Sequence, residues 1–282
     1  MGATVNSDTH SHSMIPGKIA AGVSYVGSSF HGWQSQPELP TVQEALQQAI
    51  SKINNAPITL HAAGRTDVGV HATGQVIAFS PDHYRETSVW MRGLNGLTPP
   101  SIQINWVQPV AESFHPRYAA VARRYVYVFQ DQHHDPFLRG RVWQTPQLNA
   151  DVMHQAAQHL VGEHDFSSVR GAGCQSVTPY RCVHSIQVVR RHAFVMMEIQ
   201  ANAFVLHMVR NIARLLVECS DVSEAKHAQQ ILLARDRTQL GATAPPDGLY
   251  LTSVRYPGQD FPPVPEPAFL GATYNAAHTG EA

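Results

Sequence analysis

The chain has 282 residues, 43% of them hydrophobic and 15% charged, a balance that excludes a disordered polypeptide and suits one large domain or two small ones. Its apolar runs stay below the ~18 residues a membrane helix needs, and the polar, histidine-bearing segment Met1–Gly17 lacks the apolar stretch of a signal peptide, so a cytoplasmic protein is expected. The net charge of -1 does not describe a uniformly basic nucleic-acid binder, yet seventeen of the twenty basic residues are Arg, whose planar fork matches phosphate and stacks on bases.

Residues 18–26 alternate as a strand, with Ile19, Ala21, Val23 and Tyr25 on one face. Thr41 is the expected N-cap of a helix, with Glu44 in capping-box position and Val42, Leu46, Ala49, Ile50 and Ile53 at helical spacing. That helix should stop at Asn54-Asn55, before Pro57. Ile58 to Ala62 read as a short strand, Gly64 to Gly69 as a loop and Gly74 to Ser80 as a strand. A helix over Ser88 to Leu97 ends at Pro99-Pro100, and Ile102 to Pro109 returns as a strand. The order βαββαβ is that of a split-βαβ unit.

The second half repeats this theme. Arg123 to Phe129 form a strand with Tyr125, Tyr127 and Phe129 on one face and Val126 and Val128 on the other. A helix over 149–161, strands near 183–190 and 194–200, a helix from Phe204 to Cys219, a short helix over 224–234 and a strand from Tyr250 to Tyr256 follow. The expected organisation is a tail over 1–16, an N-terminal half over 17–110, a C-terminal half over 111–257 and a Pro-rich tail over 258–282.

Three cysteines, Cys174, Cys182 and Cys219, form no C-x-x-C pair, and the seventeen histidines fall into no metal-ligand spacing. Neither a disulfide framework nor a metal site is expected. No phosphate-cradling G-x-x-x-x-G-K-[ST] or G-x-G-x-x-G motif occurs either.

The densest chemical signal is Ala63-Gly64-Arg65-Thr66-Asp67-Val68-Gly69-Val70-His71-Ala72. Two glycines bracket a tight loop with Asp67 at its tip. By itself T-D-x-G is also ordinary turn chemistry, in which Asp bonds its own backbone. The whole segment resembles the signature loop of the tRNA pseudouridine synthase A family, whose G-R-T-D-x-G-V-H carries the catalytic aspartate. Further matches follow in order: Phe30-His31-Gly32-Trp33-Gln34, Val42-Gln43-Glu44, Phe114-His115-Pro116-Arg117, Arg123-Arg124-Tyr125-Val126-Tyr127, Gly162-Glu163-His164-Asp165-Phe166, Asn202-Ala203-Phe204, His207-Met208-Val209-Arg210-Asn211 and Ala244-Pro245-Pro246-Asp247-Gly248-Leu249-Tyr250-Leu251. The resemblance covers about residues 17–257. The chain departs from the family at Val68, where Ala is usual, at Ala213, where Gly is usual, and at Cys219-Ser220-Asp221, which replaces a Val-Gly-x stretch.

The resemblance implies an α/β (α+β) protein of two ferredoxin-like, RRM-like halves. These share an extended antiparallel sheet, with helices on one side and a central RNA-binding cleft. It implies a homodimer that converts uridines 38–40 in the anticodon arm of tRNA to pseudouridine, without cofactor or metal. Asp67 would be the nucleophile or essential carboxylate, because breaking the base–ribose bond leaves C1′ electron-poor, as in glycoside hydrolysis. Arg210 would be its ion-pair partner, since a nearby guanidinium favours the charged carboxylate. Arg65 would help extrude the uridine. Tyr125 would stack on the base, and Arg124 and Leu249 would complete the substrate contacts. Two rivals remain at this point: a non-catalytic RNA-binding module with an RRM-like sheet, and an N-glycoside hydrolase, which usually needs a second acidic group that no D-x-D pair supplies here.

Overall fold

Backbone hydrogen bonding sorts the chain into ten strands and five α-helices within residues 17–132 and 134–264, the part that this computed structural model describes. The N-terminal half runs β1 (Ile19–Tyr25), α1 (Val42–Asn54), β2 (His61–Ala62), β3 (His71–Phe79), α2 (Thr87–Leu97) and β4 (Ile102–Pro109). The second half runs β5 (Ala122–Gln130), β6 (Trp143–Gln144), α3 (Ala150–Gln158), β7 (Gly162–Asp165), β8 (Tyr180–Arg191), β9 (Phe194–Ala201), α4 (Met208–Asp221), α5 (His227–Ala234) and β10 (Leu249–Arg255).

Local chemistry sets several boundaries as the sequence predicts. The Thr41 hydroxyl accepts from the Glu44 backbone N–H, which otherwise has no helical partner, and α1 ends where Asn55 turns left-handed. Asn149 caps α3 in the same way, through Val152. Two expectations need correction. Of the expected strand Ile58–Ala62 only His61–Ala62 pair, although Ile58 and Leu60 still point inward. The helix expected from Phe204 starts at Met208, because His207 takes a left-handed conformation that ends any helical run before it.

Main-path strand order is β4-β1-β3-β10-β5-β9-β8-β7. The first three, with β2 on the far edge of β3, reproduce the ferredoxin-like order in the N-terminal half. The run β10-β5-β9-β8 reproduces it in the second half, with β7 added outside. The seam between the halves is parallel: His71 and Ala72 of β3 pair with Tyr250 and Leu251 of β10. The sheet is therefore mixed rather than wholly antiparallel. β2 is a two-residue stub opposite Ile77 and Ala78, so the start of β3 keeps an open edge that β10 fills.

One large apolar core covers the helix-bearing face across both halves, joining Leu46, Ile50, Trp90 and Leu94 to Tyr127, Phe129, Leu215 and Leu216. The alternation along β5 falls as predicted, with Tyr125, Tyr127 and Phe129 in this core and Val126 and Val128 on the opposite face. That opposite face is partly covered by chain segments. Phe261, the aromatic residue of the expected C-terminal tail within the described residues, stacks on Trp106 with ring centroids 4.5 Å apart. The expected tail over 1–16 and the rest of the C-terminal one lie outside the described residues.

Candidate active site

Asp67 stands on the loop that enters β3, and that loop is held from several sides. The Trp33 N–H donates to the Thr66 carbonyl at 3.0 Å, and the Tyr25 and Thr66 hydroxyls meet at 2.8 Å. The Gln75 amide grips Gly64 at both its N–H and its C=O. Gly32 has φ +86° and lies so close that a Cβ there would sit 3.0 Å from the Thr66 carbonyl oxygen. Gly69 turns the chain at φ +81° against Pro246, and the Val70 N–H closes the turn on the Asp67 carbonyl. These contacts explain the Phe30-His31-Gly32-Trp33 segment: it is the wall against which the Asp67 loop is set.

His71 anchors the loop to the seam. Its Nδ1 accepts from the Gly27 N–H at 3.0 Å, so Nε2 carries the proton toward the Asp247 carbonyl at 3.2 Å. The ring stacks on Tyr250. Burial lowers its pKa from 6.5 to about 4, and the charge of Arg141 acts in the same direction. His71 is a neutral structural pin.

The C-terminal half brings positive charge to Asp67. Arg210, on the first turn of α4, places Nη1 3.1 Å from Asp67 Oδ2, while its Nε donates to the Ala244 carbonyl at 2.8 Å. His207, the N-cap of the same helix, has Nε2 3.6 Å from the same oxygen. Asp67 is 26% exposed at its side chain, half-buried but reachable. The partners are 143 positions apart in sequence, so only the folded seam assembles the pair.

Tyr125 of β5 points into this side of the sheet, 8% exposed, with its ring edge-on to Phe204 at 5.0 Å. Burial pushes its phenol well above the ordinary value, and the charges of Tyr25 and Asp67 add to the rise. It therefore stays protonated at neutral pH and is poised to donate, not to act as a phenolate. Arg65 is exposed and makes no hydrogen bond or ion pair with any described residue. Leu249 shares the Tyr125 face but is 4% exposed and packed into the core.

Arg124 is a correction. As the neighbour of Tyr125 on one strand it points to the opposite face. There its Nε and Nη2 grip the two carboxylate oxygens of Glu198 at 2.7 and 2.8 Å, and Nη1 reaches the Thr252 hydroxyl. It ties β5 to β9 and β10 on the face of the sheet opposite Tyr125. The fold also brings His207 to Asp67 and Phe204 to Tyr125, two residues of the matched motifs to which the sequence assigns no site role. The signal for His207 was its place in the His207-to-Asn211 motif, hidden by the assumption that it sat inside a helix.

Residues 21–119 and 156–257 match the family model described as tRNA pseudouridine synthase. The chain belongs to the tRNA pseudouridine synthase family. Asp67, His207 and Arg210 fall within the matched segments of this pseudouridine synthase, and Tyr125 lies between them. Relatives named tRNA pseudouridine synthase A include that of Shewanella pealeana, 45% identical over 243 residues, with 85% of this chain and 93% of the relative covered. That of Coxiella burnetii (strain Dugway 5J108-111) is 47% identical over 245 residues, covering 85% and 93%. That of Aeromonas hydrophila is 46% identical over 247 residues, covering 86% and 91%. Family membership makes the enzyme an isomerase acting on tRNA and sets aside the non-catalytic module. Among the described residues no group of three or more His, Cys, Asp or Glu is placed to hold a metal ion, and no helix is long and apolar enough to cross a membrane.

Proposed function

We propose that this pseudouridine synthase acts on uridines 38–40 in the anticodon arm of tRNA, with Asp67 as its essential carboxylate and a homodimer as the working form. The observation that carries the site assignment is the Asp67–Arg210 pair at 3.1 Å across the seam of the two halves. The reaction breaks N1–C1′, forms C5–C1′, releases the C5 proton and returns a proton to N1, so it needs neither redox partner nor energy source. What the protein supplies is charge and position. Asp67 meets the electron-poor centre, and Arg210 holds the carboxylate in place. Tyr125 offers a ring for the base and a proton-bearing hydroxyl beside it. Arg65, exposed at the loop tip, fits the extrusion role, which needs a side chain able to enter the space a base leaves. The restriction to positions 38–40 and the homodimer rest on the resemblance to the synthase A family.

The test is incubation with an unmodified tRNA transcript, followed by mapping of each modified position. Pseudouridine should appear at 38, 39 or 40 and nowhere else, and Asp67→Asn should reduce it to background. The isostere removes one negative charge away from the phosphate contacts, so its Kd for tRNA should stay within about threefold of wild type. Release of free uracil would make the enzyme a glycoside hydrolase. Product at other positions would remove the anticodon assignment.

A further inference from the structure

The two oxygens of the Asp67 carboxylate are not equivalent. Arg210 Nη1 and His207 Nε2 both approach Oδ2, at 3.1 and 3.6 Å, whereas Oδ1 makes no hydrogen bond with any described residue. From this asymmetry we infer that His207 is a positioning residue for the reaction: with Arg210 it clamps Oδ2 and leaves Oδ1 as the oxygen presented to the ribose. The inference rests on Asp67 being the reactive carboxylate.

Three features say that the imidazole is held there by construction. His207 has φ 60° and ψ 5°, a conformation that costs a non-glycine residue about 1–2 kcal/mol. As the N-cap of α4 it makes no side-chain capping bond, so the helix gains nothing from this side chain as a cap. Instead the left-handed turn swings the ring off the helix axis toward Asp67. Behind it lies Gly171, where a Cβ would sit 2.8 Å from His207 Nδ1 and 3.0 Å from Cγ. Any larger residue there would push the ring forward. Leu206, just before His207, is fixed on both sides: its carbonyl accepts from the Gly171 N–H at 2.8 Å, and its N–H donates to Cys174 Sγ at 3.4 Å. The segment before β8 thus forms a backstop for His207, as Ala244 does for Arg210 through its carbonyl.

Clamping one oxygen from two directions removes the rotation that a single guanidinium contact leaves to a carboxylate, and a freely turning carboxylate spends part of its time misaligned. At 3.6 Å the His207 contact is longer than a hydrogen bond. It would tighten when the nucleotide seats against Oδ1, in the manner of catalytic contacts that are loose before substrate binds.

The test compares His207→Ala, His207→Gln and His207→Asn for kcat, KM, tRNA affinity and thermal melting, with Asp67→Asn alongside. His207→Ala should lower kcat about tenfold or more with little change in KM or tRNA affinity, as expected when an aligning polar contact to a charged group is lost. Gln carries an amide N–H at a reach similar to Nε2, whereas Asn favours the left-handed backbone but is too short to reach Asp67. Gln should therefore recover more of kcat than Asn. Wild-type kcat in His207→Ala, or recovery by Asn and not by Gln, would overturn the inference, the latter by reducing His207 to a backbone role. A rise in KM alone would overturn it by making His207 a substrate contact. If Asp67→Asn stays active, the site assignment itself fails, and that outcome is distinct from either.

Discussion

At the scale of single residues, what separates Asp67 from any turn aspartate is the company imposed on it: Arg210 on one oxygen, a phenol kept protonated nearby and a glycine-lined wall behind the backbone. Tyr125→Phe keeps the ring and removes only the hydroxyl. It should bind tRNA like wild type and turn over about a hundredfold more slowly, the usual size of a positioned proton-transfer contribution. Full activity in a single-turnover assay would confine Tyr125 to stacking. His71 makes a different prediction, about stability. Its folded pKa of about 4 lies below the ordinary 6.5, so the unfolded chain binds more protons between those values. Stability from this group is therefore complete above about pH 6.5 and falls by about 3 kcal/mol as pH drops to about 4. His71→Gln, which keeps an N–H for the Asp247 carbonyl but cannot be protonated, should show a smaller drop in melting temperature between pH 7 and pH 5 than wild type.

At the scale of elements, β5 serves two faces with two purposes. Odd positions carry Tyr125 to the site and Tyr127 and Phe129 to the core, while Arg124 on the even face locks β5 to β9 through Glu198. The Arg124 side chain is 6% exposed, so truncating it strands Glu198 without its charge partner. Arg124→Ala should cost about 3 kcal/mol of stability by chemical denaturation, yet leave kcat of the folded enzyme unchanged at low temperature. A large kcat defect with unaltered stability would return Arg124 to the substrate side. Helix α4 shows how the family departures are absorbed. Ala213 and Cys219 are fully buried, and burial raises the Cys219 thiol to about 12. Ser220 accepts the Asn149 N–H at 2.7 Å, at the start of α3. Ser220 thereby ties α4 to the start of α3, at the end of the helix away from His207 and Arg210.

At the scale of the whole molecule, a parallel pair two residues long per strand joins two ferredoxin-like units, and the site sits where they meet. Most of its parts come from opposite halves: Asp67, Gly32 and His71 from one, Tyr125, His207 and Arg210 from the other. A net charge of -1 gives no bulk attraction for RNA, so any attraction for phosphate has to be local. tRNA affinity should fall steeply and linearly in log–log terms as salt rises, with a slope that counts the phosphates neutralised. A flat response in a filter-binding titration would mean that phosphate contacts do not drive association.

Periodicity and turn chemistry place the five helices and most of the strands, because α1 capped by Thr41 and β5 alternating about Tyr125 are decided within a few residues, whereas the short β6 and β7 carry no such pattern. The family resemblance named Asp67, Tyr125 and Arg210, since motif order survives without coordinates. The folded molecule alone decided what depends on long-range closure. The parallel seam arises because β2 is too short to cover the β3 edge. Arg124 faces away because strand pleating, not adjacency in sequence, sets direction. His207 stands left-handed just before its helix, with Gly171 behind its ring and Asp67 in front, both distant in the chain, so local propensity does not reveal its placement.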